Sequence, residues 1–275
     1  MIIGKNFFIT EMPKTGTTFL RNYFAQYKNI ERTIHHETIN QNKRYNLLNF
    51  KNRIGIIRNP YEWYLSVWKW SCKKKRGSPF YSDLVSIRLK LKRLILNRRL
   101  YHYIFSQITK DRKNLKKLFE DVNSKKNFNI FLDIMLNYKN RQIIGSSYSF
   151  VPFKNLGYMT YIFFSQNVLR KNYNTLYNSN YSLEEVLNYN NSKLYTNIFF
   201  KTENLNYNLA TFLKTNNIEV KSFNILDNNS TSKILKKNFK DFFSYKNILL
   251  IEKNEHYIFE KFKYKKLSKK LSKKL

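Results

Sequence analysis

An apolar run that ends in a Pro-Lys-Thr-Gly-Thr-Thr turn sets the tightest limit on what this chain can fold into: residues 7–18 read FFITEMPKTGTT. Phe7, Phe8 and Ile9, with Ile2 and Ile3 before the Gly4-Lys5-Asn6 interruption, supply a strand. Thr17 and Thr18 then open a helix whose apolar positions are Phe19, Leu20, Tyr23 and Phe24. A strand delivering a glycine-containing loop to a helix start is a place for an anion. The first N–H groups of a helix lack intrahelical acceptors, and the helix dipole adds partial positive charge there. Gly16 permits close approach of backbone to ligand, Lys14 adds a point charge, and Thr15, Thr17 and Thr18 add hydroxyl donors. The order of residues is not that of a Walker A loop, in which Gly-Lys-Ser/Thr follows an upstream glycine.

A second segment repeats the design. Residues 54–68 read IGIIRNPYEWYLSVW. Ile54, Ile56 and Ile57 predict a buried strand with Arg58 at its carboxyl end. Pro60 suits the first turn of a helix, Asn59 its cap, and Glu62 the positive end of its dipole. Ser66 then falls about two turns into that helix. A guanidinium fork with an oriented hydroxyl is apt chemistry for a terminal phosphate.

These two motifs carry a resemblance. Pro-Lys-x-Gly-Thr-Thr is similar to the 5′-phosphosulfate loop of sulfotransferases that use PAPS (3′-phosphoadenosine 5′-phosphosulfate), and Arg-Asn-Pro followed by Ser resembles their 3′-phosphate motif. Further on, IFFKTENLNYNLATFLKTNNI (198–218) resembles the family's strand, Glu-x-Leu and amphipathic helix. NNSTSK (228–233) and IEKNEHYIFEKFKY (251–264) resemble the terminal segment of Golgi-type carbohydrate sulfotransferases and their bacterial relatives. The Arg-Lys-Gly signature of the phenol and steroid enzymes is missing, which favours the carbohydrate branch. The resemblance brackets residues 2–264 and is absent from the middle.

It implies an α/β, P-loop-like three-layer fold with a central parallel sheet flanked by helices. Residues 1–264 would form one sulfotransferase domain, with a basic, mostly helical insertion at about 73–128 and a Lys/Leu-rich tail at 265–275. Lys14 would stabilise the leaving bridge oxygen, and Thr15, Gly16, Thr17 and Thr18 would hold the 5′ end. Arg58 and Ser66 would read the 3′-phosphate, with Ser230 and Lys233 closing over that side. PAPS is the implied sulfuryl donor and PAP the product, and no metal is called for. The acceptor is expected to be a glycan or small hydroxylated molecule.

A base must take the acceptor's proton. ERTIHHETI (31–39) reads as the second strand and its exit. An unperturbed imidazole, with a pKa of about 6.5, suits proton abstraction near neutrality. His36, in a His-x-Thr setting similar to that of bacterial relatives, is the expected base, with His35 and Glu37 as alternatives. Neighbours on a strand face opposite ways, so only one of the two rings should line the site. Glu203 is expected either to orient a basic residue of the loop or to sit at a helix start.

Composition narrows the remaining classes. With 51 Lys and Arg against 18 Asp and Glu the formal charge is +33, a field that attracts polyanions and anionic cosubstrates. No zinc-ligand spacing, RNP motif or helix-turn-helix pattern accompanies it, so no specific nucleic-acid partner is expected. The single cysteine, Cys72, excludes an internal disulfide framework. With a strand starting near residue 2 and no long apolar stretch, a cytoplasmic location is expected. Within the insertion, Ser82 or Asp83 is placed to cap a helix, and the basic stretch is read as part solvated surface and part wall of an acceptor site. The tail KYKKLSKKLSKKL spaces Leu267, Leu271 and Leu275 on one stripe among lysines, suited to an anionic membrane or another polyanion. A nucleotide kinase and a non-catalytic basic polyanion-binding protein are the competing functions.

Overall fold

The computed structural model describes residues 1–39, 46–73, 77–87, 99–169, 172, 174–222 and 239–271. The chain is mixed α/β and divides into two compact units, 1–59 with 162–175 and 184–230, and 60–161 with 176–183 and 231–275. Ser230 and Lys233, the residues expected to close over the 3′ side, lie outside the described residues.

The first unit is built on a five-stranded sheet of order β3-β1-β2-β4-β5, formed by β1 (Ile2–Ile3), β2 (Phe7–Ile9), β3 (Glu31–Arg32), β4 (Asn52–Ile57) and β5 (Ile198–Lys201). The expected central parallel sheet is found in part, at its three strands β2, β4 and β5, and the sheet as a whole is mixed. β2, β4 and β5 run parallel, with Ile9 opposite Ile54 and Ile57 opposite Lys201, whereas β1 lies antiparallel to both β2 and β3. The reason is local. Gly4-Lys5-Asn6 does not interrupt one strand but turns the chain back, and Gly4 N–H donates to Phe7 O at 2.9 Å. A hairpin of this kind can only pair antiparallel.

Side-chain alternation sorts the sheet's faces. Ile2, Phe7, Ile9, Ile54 and Ile56 pack in one cluster with Leu20 and Phe24 of α1 (Thr17–Phe24) and with Leu209 and Leu213 of a helix at Leu205–Thr215. Ile3 and Phe8 belong to another, with Leu47 and Tyr195. On β5, Phe199 meets Phe163 at 5.6 Å between ring centroids.

The second unit is helical and aromatic. It begins with α2 (Pro60–Lys73), which carries Pro60 and Glu62 in its first turn as expected. Trp68 of α2 meets Phe119, Phe128 and Phe131 at 5.3, 5.9 and 5.4 Å, and Trp63 sits edge-on to Tyr64, Phe80 and Tyr158. The insertion contributes α3 (Pro79–Val85), α4 (Arg99–Thr109) and α5 (Arg112–Lys117). The expected cap at Ser82 or Asp83 is corrected: both lie inside α3, which Ser78 caps by accepting from Tyr81 N–H, with Pro79 in the first turn. The start of the tail is held down. Leu267 N–H donates to Tyr61 Oη at 3.1 Å and Ser268 N–H to Glu252 at 2.9 Å; residues 272–275 lie outside the described residues. Among the described residues no helix is long and apolar enough to cross a membrane.

Candidate anion-binding loop and histidine pair

Parallel pairing of β2 and β4 brings the two motif-bearing strand ends side by side. Thr10 N–H donates to Ile54 O at 2.8 Å, continuing the ladder past the end of β2, and the chain then enters the loop at 12–16. Lys14 and Gly16 both have positive φ, 66° and 88°, the left-handed conformation from which anion-binding nests are built. Gly16 is also fixed by packing, because a Cβ there would lie 2.8 Å from Leu205 Cδ2. The residue expected to admit a ligand thus also admits a neighbouring helix.

The loop is braced from inside. Thr15 is fully buried, and its hydroxyl donates to Met12 O at 2.7 Å. Thr202 Oγ1 lies 3.0 Å from both Thr15 O and Ile57 O, tying the loop to the end of β4. Arg58 is 9% exposed, and its Nη1 donates to Lys14 O at 3.3 Å. Glu203 fixes the residue after Arg58 by accepting from Asn59 N–H at 2.6 Å. The N-cap of α1 is Gly16, which has no side chain with which to cap the helix; Thr17 is buried and Thr18 exposed.

The histidines differ from expectation. β3 ends at Arg32, and His35 and His36 stand in the turn beyond it. Strand alternation therefore does not separate their rings, which stack at 3.9 Å between centroids and 18° between planes. His36 has a positive φ of 61°, and its Nδ1 lies 2.7 Å from Glu11 O. A carbonyl only accepts, so Nδ1 carries the proton and Nε2 is the basic nitrogen of the neutral ring. Burial lowers the ring's pKa to about 4, despite the opposing hydrogen bond. His36 is thus in the proton-accepting form at neutrality, but it is a weaker base than an ordinary histidine. His35 is the ring nearer α1, with Nε2 3.4 Å from Thr17 Oγ1 and 3.9 Å from Glu11 Oε1, and burial lowers its pKa too.

Glu11 was not among the expected site residues. It is fully buried and takes a bidentate pair from Arg21, Nε and Nη2 each at 2.5 Å, while Nη2 also donates to Thr33 O at 2.7 Å. Burial alone would raise its pKa, but these hydrogen bonds hold it below the ordinary value. The pair clamps α1 to the histidine turn. Its only trace in the sequence is an acid at a strand end in a chain poor in acids. Gln166 adds a bond from Nε2 to His36 O at 3.4 Å, and its Oε1 is buried without a donor.

The loop, Arg58, the histidine pair, Glu11 and Glu203 all belong to the first unit; Ser66 lies in α2 of the second unit, 4% exposed. Among the described residues no group of three His, Cys, Asp or Glu could hold a metal ion. No family model, no curated protein and no solved structure matches this chain.

Proposed function

We propose that the chain is a PAPS-dependent sulfotransferase of P-loop-like, three-layer fold, moving a sulfuryl group to an acceptor hydroxyl on a glycan or other sugar-containing molecule. One observation carries the reading: the Lys14–Thr18 loop and Arg58 leave neighbouring parallel strands, and the guanidinium bonds the loop's own carbonyl. Two phosphate-handling motifs far apart in sequence thereby serve one end of one sheet, where nucleotides bind in open α/β folds.

On this reading the N–H groups of the loop from Thr15 to Gly16 and of the start of α1, with the hydroxyls of Thr17 and Thr18, hold the 5′-phosphosulfate, while the Thr15 hydroxyl braces the loop against Met12 O. Arg58 reads the 3′-phosphate, and Ser66, Ser230 and Lys233 are assigned to that phosphate by resemblance alone. The acceptor oxygen attacks sulfur in line, the bond from sulfur to the bridging phosphate oxygen breaks, and PAP leaves. Lys14 offsets the charge that builds on that bridging oxygen. His36 Nε2 takes the acceptor's proton, with His35 and Glu37 as the other candidates.

Calorimetry with PAP, with its 3′-dephosphorylated counterpart and with ATP tests the reading. PAP should bind best, and Arg58→Ala should cost about 1.5–3 kcal/mol in PAP affinity while sparing the ligand without a 3′-phosphate. Preference for ATP would make the chain a kinase. Binding of none of the three would leave a basic polyanion-binding protein.

A further inference from the structure

Helix α4 turns a mixed face inward, on which Tyr103 packs against Phe150 at 4.8 Å between ring centroids beside the polar Gln107 and, just past the helix end, Lys110. Tyr103, Gln107 and Lys110, spaced as neighbours on one helix face, are 1%, 0% and 8% exposed. Gln107 Nε2 donates to Gln142 O and Ile143 O at 2.8 and 3.0 Å, and Lys110 Nζ donates to Ser86 O at 2.6 Å and Gln107 Oε1 at 2.7 Å. On the other side Tyr101, Phe105 and Ile108, again at helical spacing, are 78%, 67% and 60% exposed. Folding does not call for the outward row, since burying Phe105 and Ile108 would remove apolar surface from water, whereas Gln107 and Lys110 on the inner side need four buried polar bonds. A contiguous apolar row left in solvent marks an interaction site.

Charge selects the partner. The next helix, α5, exposes Arg112, Lys113, Lys116 and Lys117. A second copy of a chain carrying +33 would be repelled. An aromatic and aliphatic row followed in sequence by a helix of exposed cations has the composition of a segment lying in a membrane interface, with rings at the headgroup boundary and cations on anionic lipid. We propose that the outer face of α4 docks on an anionic lipid bilayer, with Tyr101, Phe105 and Ile108 entering the interface and α5 supplying the electrostatic attraction. This inference stands apart from the nucleotide reading and does not depend on it.

The test uses the full chain with phosphatidylcholine vesicles, with and without phosphatidylserine. Cosedimentation should require the anionic lipid. Phe105→Ser combined with Ile108→Ser should reduce partitioning by about tenfold or more at physiological salt, since each buried methylene contributes. Both positions face solvent, so circular dichroism should be unchanged. Tyr101→Trp should give a blue-shifted emission component on anionic vesicles that the parent, with its own tryptophans, does not show. Unchanged partitioning of the double variant would overturn the proposal by reducing binding to charge alone. So would an absent blue shift, or sedimentation velocity showing that the same substitutions dissolve a dimer.

Discussion

At the scale of single residues, His36 joins geometry to titration. Its ring is held neutral by burial, so below the ordinary pKa of 6.5 the unfolded chain binds a proton that the folded chain refuses until about pH 4. Stability from this group is therefore complete above pH 6.5 and is lost as pH falls toward 4. The full shift would be worth about 3 kcal/mol, and solvent beside a half-buried ring reduces that to about 1–2 kcal/mol. His35, lowered as well, acts with the same sign, whereas Glu11 is lost only below its ordinary 4.5. Urea unfolding of the parent and His36→Gln at pH 7, 6 and 5 should show a shallower loss of stability in the variant. Parallel profiles would mean that His36 is not held neutral, and with it would go the assignment of Nε2 as the basic nitrogen.

At the scale of elements, one helix start in the second unit depends on a distant carboxylate. The helix at Tyr158–Asn167 has no capping side chain of its own among its bonds; instead Glu255, fully buried, accepts from Met159 N–H at 3.0 Å, Thr160 N–H at 2.9 Å, Thr160 Oγ1 at 2.6 Å and Tyr64 Oη at 2.5 Å. Gly157 is required beside it, because a Cβ there would strike the Glu255 carboxyl. Glu255→Ala should cost about 3–5 kcal/mol by leaving two N–H groups and two hydroxyls buried without an acceptor. Glu255→Gln should cost less, and a urea midpoint for the alanine variant within error of the parent would remove the cap from the account. Nothing near residue 160 or 255 announces this pairing, since it joins segments 95 residues apart. The same limit governs the candidate site. The loop at 12–18 and the strand end at Arg58 were legible because a strand, a glycine and a helix start are written in consecutive residues. The Glu11–Arg21 clamp and the Thr202 brace were not, because they depend on which loops the sheet brings together. The hairpin of β1 with β2 and the stacked histidines were misread for a related reason. A two-residue strand carries too little alternation to show where pairing ends and a turn begins.

At the scale of the whole molecule, the charge balance sets a cost that no local contact removes. Against 51 basic residues stand 18 acidic ones. Of the acids, Glu11 is committed to a buried pair, while Asp133 and Glu260 make pairs with Lys246 and Lys266 that are open to water. Open pairs contribute at most about 1 kcal/mol each, so they do not offset repulsion among the remaining cations. That repulsion acts over a screening length of about 30 Å at 0.01 M salt and about 8 Å at 0.15 M. The compact state concentrates charge more than the unfolded chain does, so salt should stabilise it. Sodium chloride is the useful probe, because it screens without the strong exclusion effects of sulfate. Raising it across this range should lift the melting temperature by about 2–4 °C for each kcal/mol of repulsion relieved. The same addition should weaken binding to anionic vesicles, and the opposite signs of the two responses separate self-repulsion from attraction to a partner. A melting temperature that falls with sodium chloride would show that specific ion pairs outweigh the net charge.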